Sequence, residues 1–345
     1  MAAIGRTAST GDVVSLQEKR AGESLWAESF TRLRRNKAAL IGAILVLLNL
    51  VVALAAPYIS PHAYDRQTLT DNNAAPLWVT QVFPNMRPRG EPNGYVNVSD
   101  KYFLGADNLG RDLWTRILWG SRVSLGVALV GSFFSITVGI LVGLVAGYAG
   151  GKIDTVLMRL VDIMYAFPTL LLIILLMAFF RVTPPDPNSF AGAVAAIDKS
   201  WGGTFLIFIG IGATSWMQMA RLVRGQVLSV RQMEYVEAAK SIGASNFKTV
   251  MGHIFPNILG PLLVAETLSI PSYISYEAFL SFIGLGVMPP LPSWGGMISE
   301  GARAIGAYPN QAIFPAMALF IIMFAFNFLG DGLRDALDPR MRGRD

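Results

Sequence analysis

Nineteen consecutive residues without a formal charge, Ala38 to Ala56, constrain this chain more than any other stretch in it. At 1.5 Å per residue a helix of that length reaches about 28 Å, close to the ~30 Å hydrocarbon core of a bilayer. Five further apolar runs follow: Val123 to Tyr148, Ile163 to Phe180, Gly203 to Ala220, Ile258 to Ile283 and Ala312 to Leu329. The pattern predicts six transmembrane helices. Composition agrees, because 53% hydrophobic against 15% charged residues is too apolar for an ordinary soluble domain.

Arg32, Arg34, Arg35 and Lys37 stand immediately before the first run. The polar lead is long and the run exceeds a usual signal-peptide core, so residues 1–37 read as a cytosolic tail and 38–57 as a retained first span. With six spans both termini fall on one side. Short loops then assigned inside hold Lys152, Arg159, Arg221, Arg224, Arg231, Lys240 and Lys248, whereas those assigned outside hold Arg181, Lys199 and Arg303. That bias places both termini in the cytosol. Residues 58–120, rich in Pro, Asn, Gly and Asp, form an extracytosolic insert, read as a surface loop or a small docking module. Residues 121–332 form the membrane core, with a charged cytosolic segment over 221–257, and residues 333–345 a cytosolic tail. The chain has no cysteine, which excludes a disulfide framework or a thiolate metal site. Its net charge of +5 includes no basic run interleaved with aromatics, so nucleic acid is not an expected partner.

The charged segment has internal punctuation. Met233 to Ile242 suits a helix, with Val236, Ala239 and Ile242 on one face and Glu234, Glu237 and Lys240 toward water. Gly243 supplies a left-handed stop, and Ser245 can cap a second helix beginning at Asn246. Glu237-Ala238-Ala239, three residues, Gly243, nine residues and His253-Ile254-Phe255-Pro256 resemble the EAA loop of ABC importer permeases, E-A-A-x3-G-x9-I-x-L-P. His253 and Phe255 depart from that pattern. The resemblance implies that Glu237, Ala238, Ala239, Gly243 and Pro256 belong to a cytosolic element that inserts a short helix into a cleft of the ATPase subunit.

Other stretches narrow the resemblance. Phe103-Leu104-Gly105-Ala106-Asp107-Asn108-Leu109-Gly110-Arg111-Asp112, then Glu277-Ala278-Phe279-Leu280-Ser281-Phe282-Ile283-Gly284-Leu285-Gly286, and Asn327 to Arg340 are similar to the dipeptide and oligopeptide branch of that family. Within the spans, Gly139, Gly143 and Gly147 recur every four residues and line one helix face for close packing. Asp162 and Arg159 have the spacing of a helical ion pair, and Pro168 is placed to bend the third span. Glu266 and Glu277 are carboxylates inside an apolar run, which makes them candidates for the transport pathway. Glu277 is expected near the outer end of its span, solvated or paired. Gly150-Gly151-Lys152 is no phosphate loop, since Ala146 stands at the first glycine position and Ile153 where Ser or Thr would ligate magnesium.

The chain is therefore expected to be an all-α membrane protein of six transmembrane helices on a binding-protein-dependent ABC permease (MetI-like) core. It is similar to the C-type subunit of dipeptide and oligopeptide importers of the prokaryotic inner membrane. The resemblance implies a second homologous permease, two cytosolic ATPases, an extracytosolic substrate-binding protein and surrounding lipid as partners. It implies no cofactor and no catalytic residue in this chain. Related permeases handle nickel chelates or glutathione. A secondary transporter would need coupling-ion carboxylates that the second, fourth and sixth spans lack. An intramembrane hydrolase would need a base near a nucleophile, but His62 and His253, the only histidines, are assigned to opposite sides.

Overall fold

The computed structural model describes residues 25–182, 186 and 188–337. The tails over 1–24 and 338–345, and with them Asp338-Pro339-Arg340, lie outside the described residues. Backbone polar groups in lipid must be satisfied within their own segment. The apolar runs are accordingly helical, and among the described residues only isolated β-bridges occur.

Helix α1 spans Leu25–Arg35 and α2 spans Lys37–Ile59, separated by Asn36, whose side chain accepts from the Ala39 amide at 3.1 Å and caps α2. Pro57 does not close this helix, which continues through it to Ile59. The insert follows, with a 3-10 turn at Leu69–Asp71 and the short α3 at Leu77–Val82. It is folded around its own apolar cluster of Ala75, Val79, Met86 and Val96. Asn85 donates to the Gly306 carbonyl at 2.9 Å, Tyr95 to Ala307 at 2.8 Å, and Asn310 donates back to Leu104 at 3.0 Å. These bonds seat the insert on the segment before the last helix. Within it Lys101 donates to Asp71 at 2.5 Å and holds that carboxyl below the usual carboxylate range.

Helix α4 runs over Leu113–Ala149, with one wide π turn at Ser135–Gly139. Its start is fixed by Asp112, which accepts from the Trp114 and Thr115 amides at 3.2 and 3.4 Å and from the Thr115 hydroxyl at 2.7 Å. Helices α5 (Gly151–Tyr165) and α6 (Thr169–Arg181) meet at an angle of 71°. The sequence predicts one apolar run, Ile163 to Phe180. The run is broken because Pro168 disfavours helical geometry at Phe167. Then come α7 (Phe190–Ser200), α8 (Thr204–Val230), α9 (Glu234–Ser241), α10 (Asn246–Phe282), α11 (Trp294–Ala302) and α12 (Asn310–Leu337). Among the described residues α2, α4, α8, α10 and α12 are long and apolar enough to cross a membrane, and the bent pair α5–α6 meets the same test only when its two halves are taken together, as a broken span or a re-entrant loop.

Helix α8 lies at the centre. Its Leu206, Ile207 and Ile211 pack with Val127 of α4, Ile173 and Met177 of α6 and Tyr273 and Leu280 of α10. Lipid tails are as apolar as leucine, so helices associate there by close van der Waals contact rather than by escape from water. Gly139, Gly143 and Gly147 bring α4 close against α8. A Cβ at these positions would lie 2.7, 2.5 and 2.8 Å from the Cβ atoms of Met219, Val223 and Val227. Gly143→Leu is expected to separate α4 from α8 and cost about 1–3 kcal/mol through overpacking. Gly225→Ala, where an added Cβ meets nothing within 4 Å, is expected to gain up to about 1 kcal/mol from helix propensity. Thermal unfolding of the detergent-solubilised variants checks the order, and equal midpoints would contradict the packing role.

Candidate functional site

The segment between α8 and α10 is built by local rules. Helix α9 starts after Met233 and ends where Gly243 adopts φ +86°, a conformation that costs a side-chain-bearing residue strain. The Gly243 amide donates to Lys240 at 2.9 Å and the Ala244 amide to Ala239 at 3.1 Å, which satisfies the last carbonyls of the helix. Ser245 then accepts from the Lys248 amide at 3.3 Å and caps α10. A Cβ at Gly243 would touch nothing within 4 Å, so the requirement there is conformational and leaves open space beside the turn.

Val236 and Ala239 are buried, and Val236 packs into a cluster of Met219, Val223, Val227, Ile254, Ile258 and Leu262. Glu234, Glu237, Ala238 and Lys240 face outward. Ile242 departs from the predicted face. It occupies the helix cap with φ −87° and ψ 8°, and is 87% exposed. Phe247, at 77% exposure, lies across the turn from it. The segment therefore presents charged groups and two large unpartnered apolar side chains around a tight reversal. Pro256 lies within the continuous α10, two residues after a wide turn at Val250–Ile254. A proline has no amide to donate and crowds the carbonyl four residues back, which a wide turn accommodates.

Residues 139–343 match the family described as binding-protein-dependent transport system inner membrane component. Residues 24–76 match the N-terminal transmembrane domain of oligopeptide transport permease C. The chain is 37% identical over 335 residues to the oligopeptide permease OppC of Bacillus subtilis, covering 97% of this chain and 95% of the relative. This chain belongs to that permease family. It is also 36% identical over 325 residues to the dipeptide permease DppC of the same bacterium, covering 94% and 88% of the two chains. Against the glutathione permease GsiD of Pectobacterium atrosepticum the identity is 35% over 317 residues, covering 92% of each. A solved structure, the inward-facing MetNI methionine ABC transporter, superposes with a TM-score of 0.51 at 20% identity, over 65% of this chain and 96% of that one. It shows the MetI-like fold.

The other sequence-derived residues of this permease lie apart from the α8–α10 segment. Glu266 is 5% exposed and accepts from the Ser135 hydroxyl of α4 at 2.5 Å, beside the π turn of that helix. Glu277 is not solvated, and among the described residues it has no ion-pair partner. It is fully buried and accepts from the Ser281 hydroxyl at 2.6 Å, which in turn accepts from the Val287 amide at 3.3 Å. The expected Arg159–Asp162 pair does not form. Asp162 pairs with Arg221 at 2.6 Å and Asp154 with Arg224 at 2.5 and 2.6 Å, both on α8. An ion pair across helices fastens two elements, which a pair within one helix cannot do.

Sequence reasoning missed the side chain with the most hydrogen bonds among the described residues. Arg181 donates to Asp198 at 2.8 and 3.3 Å, to the Leu285 and Gly286 carbonyls at 2.6 Å each, and to the Gly203 carbonyl. Asp198 also accepts from the Leu206 amide at 2.9 Å. The pair ties the end of α6 to α7, to the start of α8 and to the loop after α10. No helical spacing joins residues 181 and 198, and in the sequence Arg181 entered only the count of outside-loop cations. Arg181→Gln leaves the Asp198 carboxylate buried without a counter-charge, at a cost of about 3–5 kcal/mol. Adding Asp198→Asn is expected to restore much of that loss in a thermal double-mutant cycle. Strictly additive losses would show that the two side chains do not act as a pair.

Proposed function

We propose that this permease is one of two transmembrane subunits of an ATP-driven importer of short peptides, and that its α9–Gly243–α10 turn engages an ATPase partner. The turn carries the reading. Glu237, Ala238, Ala239 and Gly243 stand at the spacing of the family's coupling motif, and Glu237, Ala238 and Gly243 are exposed together with the neighbouring Ile242 and Phe247, while Ala239 packs inward. Small residues permit close approach, and exposed large apolar side chains are what a partner's cleft would cover. Relatives that transport oligopeptides, dipeptides and glutathione are alike in identity, so peptide chemistry is the class they share.

Both termini and the α9 turn lie in the cytosol under this reading, supported by the basic residues of the short loops around α8 and α9. The folded insert faces the other side and receives a substrate-binding protein. A second homologous permease completes the pathway. Glu266 serves to join α10 to Ser135 of α4, whereas Glu277 bonds to Ser281 within α10 and orients that hydroxyl toward the loop after it.

Gly243→Asp tests the turn. The substitution forces a non-glycine residue into the left-handed region at about 1–2 kcal/mol and adds a negative charge at the contact. Expected are normal permease abundance, reduced copurification of the ATPases and loss of substrate-stimulated ATP hydrolysis in reconstituted vesicles. Glu91→Ala, on the exposed surface of the insert, should leave all three unchanged. Wild-type ATPase retention and transport in Gly243→Asp would refute the assignment.

A further inference from the structure

A groove of about 720 Å³ runs along the lower half of α4 and the start of α10. Ile140, Leu141, Leu144 and Val145 form one wall, and Phe247 and Met251 part of the other. The α4 wall belongs to a helix long and apolar enough to cross a membrane, and the α10 wall to the first turns of another, within the segment read as cytosolic. From Ile136 to Tyr148 it extends about 18 Å at helical rise, roughly one leaflet of a ~30 Å hydrocarbon core. Its volume is that of a site for one small ligand.

The end nearest α9 changes character. Tyr148 donates to Asn246 at 2.9 Å, and the Lys240 ammonium lies 5.4 Å from the centre of the Tyr148 ring. Arg231 donates to the Tyr148 carbonyl at 2.8 Å, and Lys248 is exposed one residue beyond Phe247. The nearest carboxylates in sequence are Glu234 and Glu237 on α9, while Asp154 and Asp162 are taken by Arg224 and Arg221. Among the described residues neither Glu234 nor Glu237 forms an ion pair with Arg231, Lys240 or Lys248. Lys240 and Arg231 thus lie beside Tyr148 at the end of the apolar wall, with Lys248 exposed nearby, and among the described residues none of the three has an ion-pair partner.

We infer that this groove binds one anionic phospholipid of the cytosolic leaflet, acyl chain against α4 and headgroup phosphate against Lys240, Lys248 and Arg231. The charge of the rim selects an anionic over a zwitterionic headgroup. Phe247 belongs to both the groove and the α9–α10 turn, so a bound lipid buttresses that turn from the membrane side. The inference rests on the proposed orientation, in which α9 is cytosolic.

Native mass spectrometry of the intact transporter complex, exchanged into phosphatidylglycerol or phosphatidylcholine, tests it. One phosphatidylglycerol per copy of this chain is expected to survive stripping. Lys240→Gln with Lys248→Gln should weaken its retention about 30-fold, at the strength usual for two basic residues near anionic lipid. Val145→Trp, which fills the groove, should displace either lipid. Equal retention of the two lipids, or no change in the lysine variant, overturns the proposal. So does a disulfide formed between Leu141→Cys and a cysteine on the second permease, which would make the groove a protein interface. The chain has no native cysteine, so Ser241→Cys reports sidedness to an impermeant maleimide. Labelling from outside overturns the orientation and the site with it. Labelling from inside without lipid retention overturns the site alone.

Discussion

The contact on which the other elements depend is the seam between α4 and α8, where three glycines meet Met219, Val223 and Val227. Those three α8 side chains are shared. Their other sides join Val236 of α9 and Ile254, Ile258 and Leu262 of α10 in one cluster. Helix α4 thus sets where α8 lies, and α8 sets where the α9 turn is anchored. In lipid that arrangement follows from contact distance, since dispersion falls steeply with separation and no expulsion of water compensates a gap.

Polar fasteners secure what apolar contact leaves free to slide. Arg221 and Arg224 of α8 reach Asp162 and Asp154 of α5. At the opposite end of α8, Arg181 and Asp198 gather the start of that helix, α7 and the loop after α10. Apolar faces of similar helices offer many near-equivalent registers. The buried Arg181–Asp198 pair has very few, because any slip leaves it unpaired in a medium that penalises this heavily.

Much of this was legible in the sequence, and the division has a physical cause. Run length and charge placement reveal helices in lipid because the solvent imposes both. The reversal at Gly243 and the cap at Ser245 were legible because they depend on residues within a few positions of each other. The partners of Asp162 and Arg181 were not, since they are fixed by how helices cross. Ile242 was misread because a periodic face was extended one residue into the cap, where the backbone has left helical geometry. The insert gave no periodic signal at all. It folds on four small or flexible apolar residues and on bonds to a segment more than 200 positions away.

Helix α10 continues from the cap at Ser245 to Phe282 without a loop, through a wide turn and three prolines. At 1.5 Å per residue it is a rod of about 55 Å, longer than the ~30 Å apolar slab it crosses. One end carries the α9 turn and the other the fully buried Glu277 beneath the loop that Arg181 holds. A member of that length has leverage. Pivoting near the middle, it would swing its two ends by similar distances in opposite senses, so that a displacement at Phe247 reappears, reversed, at the far side of the membrane.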